Sequence, residues 1–240
     1  MERDEYRRMA DVEDAHWWYQ STRALLAEKL RPYLSAGGRF LDAGSGTGAT
    51  GSWLAEHGIV IASDYEPMAL ELYADRHAAA GRVAADIAHL PFADSSFDAA
   101  LCVTVLYHAA IASPARAVAE LARVVKPGGV VCLMEPGVRR LVRAHDREVH
   151  GARRFSLRDL RALAVAAGLE PEVATGAYSF LVPPAAAKAV LERGRQSSDL
   201  DNNASGLRGA LGLVARAERA VLRRISIPFG LSVVVIGRKS

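Results

Sequence analysis

A glycine-rich turn directly after a short apolar run is the feature that most constrains the fold of this chain. Residues 39–42 (RFLD) have the composition of a buried strand, and residues 43–48 (AGSGTG) follow at once. Glycines let the backbone turn sharply and approach a ligand closely. We therefore predict a strand, a tight turn and the start of a helix here, as in the first βα unit of a nucleotide-binding sheet.

The pattern continues along the chain. From residue 22 to residue 135, short apolar runs alternate with helical stretches, which is typical of βαβ units that build a parallel sheet. Further strands are predicted at residues 59–63, 82–85, 99–103 and 129–134. The helix that starts at Ser113-Pro114 is expected to end at residues 127–129 (PGG), where the chain turns into the fifth strand. A second helix start is predicted at residues 156–159 (SLRD), which read as a capping box.

The C-terminal third has a different pattern. A strand is predicted at 171–175 and a final one at 231–236, but residues 183–228 lack the βα rhythm and are expected to form a helical lid insertion. Within this insertion, residues 195–203 are polar enough for a mobile loop. A helical stripe of apolar residues predicts packing against the core, with contact to a membrane surface as the alternative. Its members are Leu207, Leu211, Val214, Val221, Leu222 and Ile225.

Size and composition favour a single domain over residues 1–240. Half of the 240 residues are hydrophobic, which is enough for one sizeable core. No apolar run approaches the ~20 residues of a membrane-spanning helix, and the N-terminus is charged, so we expect a cytoplasmic protein. Cys102 and Cys132 lie in apolar runs without metal-ligand spacing, and we expect them to be reduced core residues with no metal site.

Charge is unevenly distributed. Residues 1–138 carry 12 basic and 18 acidic side chains, a net charge of −6, whereas residues 139–240 carry 18 and 9, a net charge of +9. A basic region is able to attract an acidic substrate, nucleic acid or an anionic membrane surface. Arg208, Arg216, Arg219 and Arg223 contribute to it, and the alternative is that they decorate a solvated helix.

The glycine turn alone fits two ligands. The spacing of Gly44, Gly46 and Gly48 after Asp42 matches the acidic-x-Gly-x-Gly-x-Gly turn of class I methyltransferases, whereas Gly46, Gly48 and Gly51 match the G-x-G-x-x-G of dinucleotide binders. A pyrophosphate favours bare backbone N–H groups at a helix N-terminus. S-adenosylmethionine has no phosphate and carries an ammonium group, so an acidic side chain beside the turn favours it.

Two further acidic residues close neighbouring strands. Asp64 ends the second strand, where a carboxylate accepts hydrogen bonds from both ribose hydroxyls. Asp86 follows the third strand, where it is placed to accept from the adenine amino group while the N–H of Ile87 meets a ring nitrogen. Each alone reads as a helix cap. Together with Asp42 they suit a cationic adenosyl ligand better than a pyrophosphate.

Five motifs in order resemble the class I S-adenosylmethionine-dependent methyltransferase family. They are residues 41–48 (LDAGSGTG), 63–66 (SDYE), 85–92 (ADIAHLPF), 96–98 (SFD) and 121–129 (LARVVKPGG). The resemblance implies a Rossmann-like α/β fold, a seven-stranded sheet in the order 3-2-1-4-5-7-6 with strand 7 antiparallel and helices on both faces. It also implies a donor-binding core at residues 35–136, preceded by N-terminal helices at residues 1–34.

The resemblance further implies S-adenosylmethionine as the donor, S-adenosylhomocysteine as the product and a small-molecule acceptor. Residues 13–19 (EDAHWWY) resemble an aromatic helix of a bacterial subgroup that folds over the donor, although Trp17 and Trp18 fit a core role equally well. Tyr65 is expected to pack on the adenine or ribose. The residues expected to bind the donor are Tyr19, Arg23, Asp42, Gly44, Ser45, Gly46, Gly48, Asp64, Tyr65, Asp86, Ile87 and Val103.

Catalysis needs little beyond alignment, because the sulfonium methyl is already activated for in-line displacement. A hydroxyl acceptor also needs a base, and His108 after the fourth strand is the first candidate, with Tyr19 and His16 next. His108 has an alternative role in shaping its turn. Other hypotheses for the chain are a donor-fold protein that does not transfer methyl groups, an NAD(P)-dependent oxidoreductase and an RNA methyltransferase, the last disfavoured because aromatic and basic residues are not interleaved.

Overall fold

The computed structural model describes residues 3–139, 153–191 and 205–240 and contains a seven-stranded sheet. The strand order is β3-β2-β1-β4-β5-β7-β6, as predicted. The strands are β1 Gly38–Ala43, β2 Gly58–Asp64, β3 Gly81–Ala84, β4 Phe97–Val103, β5 Val125–Pro136, β6 Leu169–Ala177 and β7 Ser232–Lys239. The described α-helices are α1 Arg3–Val12, α2 Trp17–Leu30, α3 Pro67–Arg76, α4 Pro114–Val124, α5 Leu157–Ala166, α6 Val182–Leu191 and α7 Ser205–Leu222.

The centre of the sheet is parallel. Strand β1 pairs in parallel with β2 on one side and β4 on the other, and β5 continues beyond β4. Strand β7 is antiparallel to both β5 and β6, which confirms the predicted orientation of strand 7. Because β1, β2 and β4 are parallel neighbours, their carboxyl ends meet at one edge of the sheet, where open α/β sheets bind ligands.

Each face of the sheet has its own hydrophobic core, and this explains the near-continuous apolar composition of the central strands. On one face α4 and α5 pack over β4, β5 and β7, with Leu121 and Leu160 fully buried. On the other face α2 and α7 pack over the same strands, with Leu26 fully buried and Leu222 nearly so. Cys102 and Cys132 are buried free cysteines, one in each core, as expected.

Two predictions about helices were wrong, one of helix type and one of a helix boundary. The glycine turn is followed not by an α-helix but by a short 3₁₀ helix, Ser52–Glu56, because the brief crossover to β2 is largely taken up by turn residues. Helix α4 ends at Val124, before the expected residues 127–129. Val125 already pairs with Phe97 of β4, so strand pairing overrides the local stop signal.

The helix starts were predicted correctly. The Ser113 side chain accepts a hydrogen bond from the Arg116 N–H at 3.2 Å, with Pro114 as the first helical residue. At α5, Ser156 and Asp159 form the reciprocal capping box that the sequence predicted. Such boxes satisfy backbone N–H groups that the helix itself leaves unpaired.

The connection between β6 and β7 contains α6 and α7, and its predicted polar loop at residues 195–203 lies outside the described residues. The predicted apolar stripe does not all pack on the core. Leu222 is 2% exposed, but Val214, Val221 and Ile225 are 44%, 46% and 57% exposed. The rotation of α7 is set by polar contacts instead, because the Glu218 carboxylate accepts the N–H groups of residues 178 and 179, each at 2.7 Å.

Candidate functional site

The glycine turn is held against the end of β2 by backbone hydrogen bonds. The N–H groups of Gly44 and Ser45 both donate to the Ser63 carbonyl, at 2.7 and 2.9 Å, and the Gly46 N–H donates to the Asp64 carboxylate at 2.8 Å. The fold therefore brings the glycine turn and Asp64 together, as predicted. Asp64 serves as an anchor for the turn as well as a candidate ligand for ribose.

Two of the glycines are required by their surroundings. Gly44 has φ +70°, and a Cβ there would overlap the Val105 side chain. Gly48 has φ +97°, and a Cβ there would lie 2.5 Å from the Tyr73 ring. Non-glycine residues rarely adopt such φ values, and both positions also lack room for a side chain. The turn is consequently a close-packed backbone cradle.

Asp64 is the polar centre of this edge. Its side chain is 7% exposed. Besides the Gly46 N–H, its carboxylate accepts hydrogen bonds from the Glu66 N–H at 3.0 Å and from the Tyr6 hydroxyl at 3.5 Å. Burial raises the pKa of Asp64, and the Glu66 and Gly46 N–H groups oppose that rise. Tyr6, on α1, was not predicted to reach this site, and its pKa is in turn raised by burial and by Asp64.

Asp42 is buried with unused hydrogen-bonding capacity. It is 4% exposed, its Oδ2 atom packs against Gly51, and that atom lacks a hydrogen-bond partner among the described residues. Burial raises the pKa of Asp42 to about 7, and the negative charge of Asp64 adds to the rise. The Ser45 hydroxyl in the same turn is likewise buried without a described partner. Orphan polar atoms of this kind suit a ligand that carries an ammonium and a carboxylate.

The residues predicted to hold the adenosine part lie at the ends of β2 and β3. Tyr65 is 78% exposed, so its ring is open to solvent beside Asp64. The Asp86 carboxylate accepts the Ala88 N–H and contacts His89 Nδ1, both at 2.9 Å, and the Ala88 N–H and His89 lower its pKa. Ile87 is buried in the core. The adenine-binding roles of these residues stay predictions.

The N-terminal helices are fastened to the glycine turn. Arg23 donates to the carbonyls of Glu13 at 3.3 Å and Ala49 at 3.2 Å, which brings the predicted Arg23 to the turn. The Glu13 carboxylate, 2% exposed, accepts the Thr47 hydroxyl at 2.7 Å and forms an ion pair with Arg76. Burial raises the pKa of Glu13, against the contacts with Thr47 and Arg76. Helices α1 and α2 thus cover one side of the site.

The aromatic residues of α2 divide between two places. Trp17 and Trp18 pack on Tyr178, at ring-centroid distances of 5.8 and 6.5 Å, which supports their core role. Tyr19 lies edge-on to the rings of Trp18 and His16. The proposed contact of Tyr19 with the donor, and its role or that of His16 in catalysis, stay predictions.

A second turn, after β4, lies beside the glycine turn. Thr104 adopts φ +54°, unusual for a residue other than glycine, and the chain then turns over the buried carboxylate of Glu135. This carboxylate accepts three backbone N–H groups, from Val105 at 3.0 Å, Leu106 at 2.8 Å and Tyr107 at 3.2 Å. Burial raises the pKa of Glu135 to about 8, and the three N–H groups oppose the rise.

Arg153 completes the support of this turn from the other side. It donates to the Ile111 carbonyl at 2.7 Å and to the Leu106 carbonyl at 3.4 Å. His108 is carried by the same turn, with its ring 4.1 Å from that of Tyr107. Val103, the last residue of β4, pairs with Met134 of β5 at the same edge. The structure therefore places His108 and Val103 at the carboxyl edge of the sheet, and their roles in binding and catalysis stay predictions.

Reasoning from the sequence missed Tyr6, Glu13 and Glu135. Glu135 had a usable signal, since it is an acidic residue near the end of a predicted strand, as Asp42 and Asp64 are. Tyr6 and Glu13 had none, because their contacts with Asp64 and Thr47 join parts of the chain 58 and 34 residues apart. Among the described residues, no group of three or more histidine, cysteine or acidic side chains is placed to hold a metal ion.

Comparison with known proteins agrees with this geometry. Residues 41–133 match the family described as "Methyltransferase domain", a span that begins within β1, includes the glycine turn and ends within β5. Over these residues the chain is similar to methyltransferase domains. Within the described residues, no helix has both the length and the apolar composition needed to cross a membrane.

Similar sequences bear methyltransferase names. The chain is 37% identical over 127 residues to a "Demethylmenaquinone methyltransferase" of Clavibacter sepedonicus, covering 51% of this chain and 48% of that protein. It is 34% identical over 114 residues to "Methyltransferase GfsG" of Streptomyces halstedii, covering 44% and 40%. The matched region thus spans about half or less of each relative's length.

Solved structures share the fold at lower identity. A "S-adenosylmethionine dependent methyltransferase" from Mesorhizobium loti is 17% identical with a TM-score of 0.58, covering 95% of this chain and 100% of that one. The "[4+2]-Cyclase SpnF" is 20% identical with a TM-score of 0.57, covering 89% and 80%. Since the second structure bears the name of a different reaction, this fold by itself does not fix the chemistry.

Proposed function

We propose that the chain transfers a methyl group from S-adenosylmethionine to a small-molecule acceptor by in-line displacement. The observation that carries the proposal is the pair of buried carboxylates at the glycine turn. Asp64 is fixed by the Gly46 N–H, and Asp42 keeps an oxygen without a described partner. Asp64 suits the ribose of either ligand. Asp42 favours S-adenosylmethionine, because a carboxylate beside the turn repels a pyrophosphate and attracts an ammonium group.

Each donor-site residue has a role in this proposal. Asp64 accepts the ribose hydroxyls, Asp42 and Ser45 meet the amino-acid part of the donor, and Tyr65 covers the adenosine. The donor supplies a methyl group that is already activated by its sulfonium. The protein then has to hold the acceptor nucleophile about 3 Å from the methyl carbon and exclude water. Gly44 and the turn after β4 form the walls of that space.

Two classes of acceptor are supported, one by the names of similar proteins and one by the charge of the chain. Since several similar proteins are named for demethylmenaquinone, a demethylated menaquinone is the first acceptor to test. An acidic acceptor with an oxygen or nitrogen nucleophile is the second, because the C-terminal part of the chain is basic. Two of its arginines, Arg219 and Arg223, are already paired with Glu28, which reduces the charge left for such an acceptor.

His108 is the proposed base where the acceptor must lose a proton. Its position on the turn after β4 supports this role, and its packing on Tyr107 supports a role in shaping the turn instead. The two roles separate experimentally. If His108 is the base, His108→Ala loses turnover and keeps donor affinity and the unfolding temperature; unchanged turnover would remove His108 from the mechanism.

The deciding experiment is calorimetric titration of the protein with S-adenosylmethionine and S-adenosylhomocysteine. We expect micromolar binding, as is usual for enzyme substrates, and a loss of at least about tenfold in Asp64→Ala. Asp75→Asn, an exposed acidic residue of α3, is the matched control and should bind as the unmodified chain does. Binding of a nicotinamide dinucleotide in place of both ligands would overturn the proposal. Donor binding without methyl transfer in a full acceptor screen would favour a cyclase-like or binding role.

A further inference from the structure

Exposed apolar side chains are concentrated in one segment of this molecule. The described residues include eight large hydrophobic side chains that are exposed, and five of them lie between residues 213 and 229. We call these five the α7 stripe; each is between 44% and 65% exposed. They are Leu213, Val214, Val221, Ile225 and Phe229. Single exposed apolar residues are ordinary, but a cluster of this kind marks an interaction surface.

The helix geometry aligns most of the stripe. Val214, Val221 and Ile225 are separated by seven and four residues, so they lie along one side of a helix, with exposed Ala217 between them. The Ile225 N–H still donates to the Val221 carbonyl at 3.1 Å, which continues the helical turn beyond Leu222. The buried residues Ala215 and Leu222 face α2 and the sheet instead. Helix α7 therefore has two apolar faces, and the described residues cover only one of them.

Arginines lie next to the uncovered face. Arg216 and Arg224 are both exposed, and neither forms a salt bridge within the parts of the chain that the structure describes. Arg223 and Arg219 pair with Glu28 on α2. The acidic residue of this helix, Glu218, is turned inward and accepts backbone N–H groups. The uncovered face is thus apolar with a positively charged border.

We propose that the α7 stripe docks on an anionic membrane surface. In that position the apolar side chains enter the boundary between headgroups and acyl chains, and Arg216 and Arg224 reach the lipid phosphates. A second copy of the chain fits less well. Pairing of two stripes across a two-fold axis would bring the arginine borders of both copies together, and like charges repel.

Vesicle co-sedimentation of the full chain, without donor or acceptor, tests this docking. The probes are vesicles of phosphatidylcholine alone and of phosphatidylcholine with phosphatidylglycerol. Binding is expected to the anionic vesicles and to weaken as salt is added. The double variant Val221→Ser/Ile225→Ser should bind about tenfold more weakly or worse, because burial of each side chain contributes to partition. Both residues are exposed, so the unfolding temperature should not change.

Matched controls locate the surface and the charge. Val165→Ser changes a valine on α5 that is 55% exposed and should leave vesicle binding unchanged. Arg216→Gln/Arg224→Gln should weaken binding to anionic vesicles by on the order of tenfold, since each charge near such a surface attracts it. Arg161→Gln on α5 is the control for this double variant and should leave vesicle binding unchanged. Vesicle binding is measured without methyl transfer, so a negative result here would leave the proposed function untouched, and the reverse also holds.

Three results would overturn the docking proposal. The first is no binding to anionic vesicles. A second is binding that Val221→Ser/Ile225→Ser leaves intact, which would move the contact elsewhere. The third is a dimer, seen by sedimentation velocity, that the same double variant dissociates; this would assign the stripe to a second copy of the chain.

Discussion

The two turns that meet at the ligand edge of the sheet are built by opposite means. The turn after β1 reaches its positive φ angles with glycines, at Gly44, Gly46 and Gly48. The turn after β4 does so with Thr104, and a buried carboxylate from the neighbouring strand β5 holds its N–H groups. One turn is specified by local backbone freedom, and the other by a tertiary contact.

This difference matters because the turns touch. The Val105 side chain of the second turn fills the space beside Gly44, where a Cβ would stand. Glu135 fixes the backbone of Val105, so its effect on the proposed donor site would pass through Val105 rather than through direct contact. We therefore regard Glu135 as a positioning residue. Changes at the two turns should separate their contributions to stability and to donor binding.

The largest effect on the free energy of unfolding is expected from removal of the Glu135 carboxylate. Glu135→Ala leaves three N–H groups without their acceptor, at about 1 to 3 kcal/mol for each buried donor, and removal of the buried polar carboxyl group offsets part of this. We expect a loss of about 3 kcal/mol in the free energy of unfolding, measured by urea denaturation. Glu170→Ala, at an exposed position of β6, should change it by less than about 0.5 kcal/mol. A decrease in the free energy of unfolding of less than about 1 kcal/mol in Glu135→Ala would mean that the turn after β4 is stable without this carboxylate.

The next effect concerns the glycine turn. Gly44→Ala places a Cβ against Val105 at a φ of +70°, and both strain and overpacking should cost together about 2 to 3 kcal/mol. Gly212→Ala is the control, because a Cβ at that position in α7 meets nothing within 4 Å and should stabilise the helix by up to about 1 kcal/mol. Thermal unfolding of the two variants gives the comparison. Equal unfolding temperatures for both variants would contradict a close-packed turn.

A smaller effect, about tenfold in affinity, is expected from pH. The pKa of Asp42 is raised to about 7, so the carboxylate is mostly protonated at pH 6 and mostly ionised at pH 8. A donor ammonium binds the ionised form, and donor affinity should rise as pH increases through this window. Titrations at pH 6, 7 and 8 in buffers of different ionisation enthalpy also detect the proton released on binding. Asp42→Asn should flatten the profile, and a slope that survives in this variant would assign it to another group.

The smallest expected effect comes from placing a glycine in the turn after β4, as in the turn after β1. Thr104→Gly relieves a φ of +54° that costs about 1 kcal/mol or more in a residue with a Cβ, while glycine loses more chain entropy on folding. We expect the free energy of unfolding to stay the same or rise by less than about 1 kcal/mol. A clear decrease, measured by the same urea titration, would show that the Thr104 side chain contributes to the turn.

Much of the donor half followed from short-range patterns. The strands, the turn after β1 and the positions of Asp42 and Asp64 at strand ends were predicted because period and glycine spacing are properties of neighbouring residues. The strand order was implied by the resemblance to class I methyltransferases. The end of α4 was predicted wrongly, since pairing of Val125 with β4 competes with the local stop. The exposure of Val221 and Ile225 was also missed, because an apolar stripe has the same spacing whichever way the helix is rotated.

The sequence by itself determined the positions of the strands, the glycine turn and the charges that favour an adenosyl donor, because these depend on which residues are adjacent in the chain. The tertiary structure decided which carboxylate holds the turn after β4, that Tyr6 reaches Asp64, and which face of α7 the described residues leave uncovered. Each of these depends on segments that are distant in sequence. A buried polar atom must find a partner wherever the fold brings one within hydrogen-bond distance, and spacing along the chain does not record that choice.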